Sequence, residues 1–228
     1  MKYIIAILLL ITLQVSAQNF IPSNAKQYKP QNSNSIVNDG VLTNYHKTSK
    51  AKHVKIVSEF KDGKKHGIEI QIDEKGFLKS ERHYKLGLLD GLSKAYFSFG
   101  KIEITSNYAN GKLNGLCTKY DKNGKLVEQF NYNNGLKEGD AKWYFSSGKL
   151  SAHYIYINGN LEGKQTSYRK DGSIKLVANY AANTMNGEWI AYHKNGQVEQ
   201  KGLYKAGEKS GKWITYNEQG KVIKKEKF

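Results

Sequence analysis

The chain has 228 residues, 39% of them hydrophobic and 12% aromatic, with 22 Gly, 2 Pro and a single Cys. That composition excludes a collagen and a disulfide-stapled miniprotein, and it carries too much stackable apolar area for a wholly disordered chain. The formal net charge is +16, yet of 36 basic residues only Arg82 and Arg169 are Arg, which argues against bidentate reading of phosphates or base edges and so against a nucleic-acid partner.

Residues 1–17 read as a signal peptide. Met1 and Lys2 precede an apolar run from Ile4 to Leu13, and Val15-Ser16-Ala17 forms a small-x-small cleavage pattern. Ten apolar residues span only about 15 Å as a helix, half of a bilayer core, so cleavage near Ala17 and export are expected rather than a retained anchor. Residues 18–38 are polar, hold both Pro22 and Pro30, and read as a flexible leader. Residues 39–59 read as a degenerate capping repeat, with Val54 in register and Lys52 where a glycine belongs.

From residue 60 to residue 228 a single period of 24 governs the chain. One glycine series runs Gly63, Gly87, Gly111, Gly135, Gly159 and Gly207, with Asn183 in the remaining slot; a second runs from Gly67 to Gly211 and a third from Gly76 to Gly220. Twenty of the 22 glycines fall on these series. Asn is the non-glycine residue that best tolerates a left-handed backbone, so the Asn183 slot is expected to demand positive φ. Two aromatic series share the clock, Phe60 to Phe228 through Tyr132 and Tyr96 to Tyr216 through Tyr144, as does an aliphatic series from Leu78 to Val222 through Leu150.

Within a repeat the period is two. Leu150 and Tyr156 stand six apart and are expected on one face of a strand, Asn133-Asn134-Gly135 reads as a turn, Asp140 to Phe145 as the return strand and Ser146-Ser147-Gly148 as the next turn. The predicted fold class is all-β: an elongated, single-layer antiparallel β-meander of seven tandem 24-residue β-hairpin repeats. Tyrosines of successive repeats are expected to form rows on one face, shielding the bare backbone of neighbouring glycines.

The segment Tyr108-Ala109-Asn110-Gly111-Lys112-Leu113-Asn114-Gly115, continued by Tyr120-Asp121-Lys122-Asn123-Gly124-Lys125-Leu126, resembles the MORN repeat variant family, and the same pattern recurs over Tyr132 to Leu150 and Tyr204 to Val222. The resemblance covers about three quarters of the chain and implies a β-hairpin array. Similar proteins are labelled YwqK-type antitoxins or membrane-binding proteins, and related ones serve as scaffolds or bind acidic phospholipid. For an exported chain, an antitoxin role implies an exported toxin. The family supplies no catalytic residues to carry over.

The six histidines do not recur in phase, and no pair has zinc-ligand spacing beside a Cys or carboxylate. No nucleophile elbow or phosphate-cradling loop is present. Catalytic, metal and cofactor roles are therefore not expected. Candidate binding residues come from two features. Trp189 and Trp213 share a phase in adjacent repeats, about 9–10 Å apart at backbone level, and Trp143 and Phe145 share their alternation parity; exposed, these rings form an aromatic patch, and packed against a neighbouring strand they are core. The positive excess concentrates in residues 19–59 and in the last repeat, where Lys209, Lys212, Lys221, Lys224, Lys225 and Lys227 suit an anionic surface. The expected partner is a protein or a cell-envelope component, with an acidic lipid surface as the alternative.

Overall fold

The computed structural model describes residues 27–28, 39–45 and 54–228, and every regular element among them is a β-strand. The signal peptide and most of the leader lie outside the described residues. The chain divides into two compact units, residues 1–101 and 102–228.

In the first unit, β1 (Gln27–Tyr28) lies parallel to β2 (Gly40–Tyr45), and β2 pairs antiparallel with β3 (Val54–Lys61). The meander continues through β4 (Lys64–Ile72), β5 (Leu78–Lys85), β6 (Leu88–Leu89) and β7 (Gly91–Tyr96), each strand pairing with its neighbour in sequence, except that β6 and β7 both pair with β5. The second unit repeats the scheme. Its strands are β8 (Ile102–Ala109), β9 (Lys112–Leu113), β10 (Gly115–Tyr120), β11 (Leu126–Asn133), β12 (Leu136–Tyr144) and β13 (Leu150–Ile157). They are followed by β14 (Asn160–Leu161), β15 (Gly163–Tyr168), β16 (Ile174–Ala181), β17 (Thr184–Tyr192), β18 (Val198–Lys205), β19 (Glu208–Tyr216) and β20 (Val222–Lys227). Each unit is thus the antiparallel hairpin meander that the period predicts.

The two-residue turns explain the first glycine series. In Asn134-Gly135 both residues have positive φ (52° and 89°), the mirror-image turn whose twist matches that of paired strands. Asn183, standing in the glycine slot, has φ 68°, as expected from its identity. The position before it is equally left-handed and is filled by whatever the repeat supplies, including Leu86 and Ala182.

The second series marks a bulge. In β11–β12 the register passes from Phe130↔Ala141 to Tyr132↔Lys137, which leaves two extra residues on the return strand around Gly139. The carbonyl thrown off the ladder finds a side chain eight residues before the glycine: Asn107 Nδ2 donates to Leu116 O (2.8 Å) and Asn179 Nδ2 to Glu188 O (3.1 Å).

A further one-residue slip makes Tyr144 the partner of Leu150 while Trp143 faces Ala152. This slip corrects the facial assignment of the tyrosines. Trp143 meets Phe130 and Tyr154 ring to ring, and Phe130 meets Tyr132, so these rings share a front face. Tyr144, the next residue in the strand, lies on the back, where its hydroxyl donates to Gln129 Oε1 at 3.1 Å. The two tyrosine series therefore form rows on opposite faces.

Successive repeats are laced along both rims. The N–H of Gly135 donates to Leu113 O (2.8 Å) and that of Gly159 to Lys137 O (2.9 Å). Side chains just before the bulge glycines accept from the next turn: Asn158 N–H donates to Glu138 Oε2 (2.7 Å) and Ala182 N–H to Glu162 Oε2 (2.9 Å). On the other rim Lys125 Nζ donates to Ser146 O (2.5 Å) and Lys149 Nζ to Asp171 O (2.7 Å), so these ammonium groups are spent on the following turn.

Candidate binding face

The front face of the second unit carries a cross-strand row that alternates in size. Cys117 faces Phe130, Phe130 faces Ala141, and Ala141 faces Tyr154. Farther along, Ala178 faces Trp189, Trp189 faces Gly202, and Trp213 faces Glu226. Small residues beside large ones let the rings lie down over the sheet, which is why Ala141, Ala178 and Cys117 are buried in a structure with one layer of strands.

At the end of this row Trp213 is only 1% exposed. Its ring meets Trp189 (5.3 Å between centroids), Tyr204 (5.3 Å, edge-on) and Phe228 (6.3 Å, edge-on), its Nε1 donates to Leu203 O (3.2 Å), and Lys209 Nζ stands 4.2 Å above it. Of the two readings of the paired tryptophans, Trp213 takes the packed one. Gly202 makes this possible: it lies outside the three periodic series, and a Cβ there would stand 2.6 Å from Trp213 Nε1 and closer still to the ring carbons. Sequence reasoning passed over Gly202, although its departure from the period was the available signal.

Trp143 is different. It is half-buried on β12, held edge-on between Phe130 (5.1 Å) and Tyr154 (5.0 Å) from the two flanking strands. Lys137 Nζ sits over both Phe130 (4.2 Å) and Tyr156 (4.9 Å), a cation on two ring faces at the edge of the same cluster. Phe145, its sequence-predicted companion, falls beyond the strand, where its N–H donates to Lys149 O and its carbonyl accepts from Gly148. Phe130 and Tyr154 join the cluster instead; they share its parity at cross-strand spacing. Burial pushes the Tyr132, Tyr156 and Tyr180 hydroxyls above their usual range, so this row stays uncharged through neutral pH.

The terminal lysines are not one cluster. Lys209 is engaged with Trp213 and Phe228, and Lys224 pairs with Glu226 at 2.8 Å. Lys221 lies exposed in a turn whose ends are closed by Asn217 Oδ1. Lys212 faces Lys227 directly across β19 and β20, while Lys225 faces Ile214, whose other partner is Lys201. By strand alternation Lys201, Lys212, Lys225 and Lys227 fall on the back face, and the direct Lys212–Lys227 opposition is a like-charge pair.

The first unit fills the same row with charge. Glu69, 2% exposed, faces Ser58 and Arg82 and accepts from Ser58 Oγ (3.0 Å) and the Tyr84 hydroxyl (3.5 Å). It also pairs with Lys65 and stands 3.6 Å from Arg82 Nη1. These partners neutralise and saturate it, so the arrangement is an internal network rather than an open acid. Among the described residues no group of three or more His, Cys, Asp or Glu could hold a metal ion.

The MORN repeat variant family matches residues 89–112, 113–134, 137–158 and 185–206. The matches follow the 24-residue frame, each taking in one two-residue turn or the bulge beside it, and such repeats are consistent with a scaffold that binds proteins or membranes. No curated protein matches the chain. A crystal structure of a GtfA/B complex bound to UDP and GlcNAc is similar to part of it, at 18% identity over 51% of this chain and 22% of that one, with a TM-score of 0.23.

Proposed function

We propose that this chain, a MORN-variant repeat protein, is an exported, non-enzymatic scaffold that holds a protein partner or envelope component against its front face around Trp143. The observation that carries the reading is the division of labour within the repeat. Positions that recur build turns, bulges and tyrosine rows, whereas the Trp143 slot reads Lys119, Trp143, Ser167, Ala191 and Thr215 in successive repeats of the second unit. A half-exposed ring at a non-recurring position on a recurring frame is a selective contact rather than part of the frame. The test is capture from envelope extracts by the full chain and by its Trp143→Ala and Trp143→Lys variants, with circular dichroism as the folding control. Loss of one specific captured species in both folded variants supports the reading; capture unchanged in both refutes it.

A second reading, electrostatic docking on acidic lipid, draws support from the Lys212–Lys227 opposition on the back face. Each basic group near an anionic membrane contributes about 1 kcal/mol. Co-sedimentation with anionic vesicles at low salt, lost at moderate salt and weakened by Lys212→Glu with Lys225→Glu, is the expected outcome. Absence of binding at low salt refutes it.

A further inference from the structure

The dipeptide Asn-Gly occurs seven times in the second unit. In such a pair the glycine nitrogen attacks the asparagine Cγ. A C–N bond forms, the Cγ–Nδ2 bond breaks, and ammonia leaves carrying the glycine's proton. Water then opens the resulting cyclic imide at one carbonyl or the other, giving aspartate or isoaspartate. Attack requires the backbone to leave its turn geometry and the glycine nitrogen to lose its proton, so bonds that fix either one set the rate.

The structure holds these pairs unequally. At Asn134-Gly135 the glycine N–H donates to Leu113 O (2.8 Å) and the asparagine N–H to Asn114 Oδ1 (3.3 Å). At Asn158-Gly159 the acceptors are Lys137 O (2.9 Å) and Glu138 Oε2 (2.7 Å). All four acceptors belong to the preceding repeat, so these turns are released only when neighbouring repeats part. Asn195 is held by its side chain, with Nδ2 donating to Glu218 O (2.7 Å) and Oδ1 accepting from Gln197 N–H (3.0 Å). At Asn123-Gly124 the bonds stay within one exposed turn: the N–H groups of Asn123 and Gly124 donate to Asp121 Oδ1 (2.8 Å) and Asp121 O (2.9 Å). Opening that turn disturbs no other repeat.

We propose that Asn123 is the preferred site of spontaneous deamidation in this chain, and that Asn134 and Asn158 are shielded by the repeat before them, so that their conversion reports the parting of repeats. The full chain is aged in mildly alkaline buffer, and each site is followed by peptide mapping with isoaspartate detection. Asn123 is expected to convert about tenfold faster than Asn134 or Asn158, as local opening outpaces opening of a laced pair. In denaturant the three rates should converge to within about twofold, because the tertiary restraint is gone. Glu138→Ala should accelerate Asn158 several-fold and leave Asn134 unchanged, whereas Glu138→Gln, which keeps an acceptor, should not. The proposal is overturned if Asn134 or Asn158 keeps pace with Asn123 in the folded chain, if the denatured chain preserves the folded order, or if Glu138→Ala leaves Asn158 unmoved.

Discussion

Gly202 and Trp213 form a steric couple whose two halves can be exchanged. Gly202→Ala puts a methyl into the buried indole, and the ring cannot retreat because Trp189 and Tyr204 stand 5.3 Å away on its other sides. Overpacking of this kind costs about 1–3 kcal/mol. Gly202 does not have positive φ, so alanine adds no backbone strain and recovers about 0.4–1 kcal/mol through the unfolded chain. The net destabilisation expected is about 1–2 kcal/mol. Trp213→Ala should cost about 3–5 kcal/mol through the void it leaves. Three repeats earlier the order is reversed, with Phe130 large and Ala141 small. Gly202→Phe combined with Trp213→Ala copies that arrangement and should be more stable than the sum of the single changes by about 2 kcal/mol. Urea midpoints followed by far-ultraviolet circular dichroism measure all four species, and midpoints are the safer quantity because long repeat arrays depart from two-state behaviour. A neutral Gly202→Ala, or strict additivity in the double variant, would refute the steric account.

Other expectations follow from the turns and the charges. Leu86 is left-handed (φ 50°) and 51% exposed, so Leu86→Asn should relieve strain at little packing cost and stabilise by about 1 kcal/mol; a lower melting temperature would contradict this. Glu69→Ala strands Lys65 and Arg82 around an emptied site and should cost about 3–5 kcal/mol, more than Glu69→Gln, as read from urea midpoints. A hydrogen bond from His153, at 2.5 Å, holds the Asp140 carboxyl below the usual carboxylate range. Because the folded value lies below the unfolded one, this stabilisation is complete above the unfolded value of about 3.9 and drains away as pH falls through the folded value. Asp140→Asn should therefore flatten the acid limb of the stability profile, and an unchanged limb would count against the pairing.

Periodicity made the scaffold legible because a turn or bulge needs the same backbone conformation each time it recurs. Asn183 illustrates this: its slot alone predicted a positive φ, and it has one. What the period could not convey was anything set by pairs of residues in different phases. Trp213 and Trp189 share one phase, but Trp213 is buried because the residue opposite is Gly202, and no single-position pattern contains that fact. The facial exchange of the tyrosines was hidden for a related reason. It depends on slips of register at Gly139 and beyond Trp143, which alter the strand count without altering the spacing of 24. Phe130 and Tyr154 were legible only as strand residues until the pairing brought them to Trp143.

The rim bonds of the two-residue turns in the second unit all run backward: Gly135 and Gly159 donate to carbonyls of the repeat already passed, and Asn158 and Ala182 to side chains of that same repeat. A chain leaving the ribosome amino end first therefore meets each new hairpin with its acceptors already in place. Assembly in the opposite order would leave those donors waiting. The lacing gives the array a direction of growth, with every finished block serving as the template for the next.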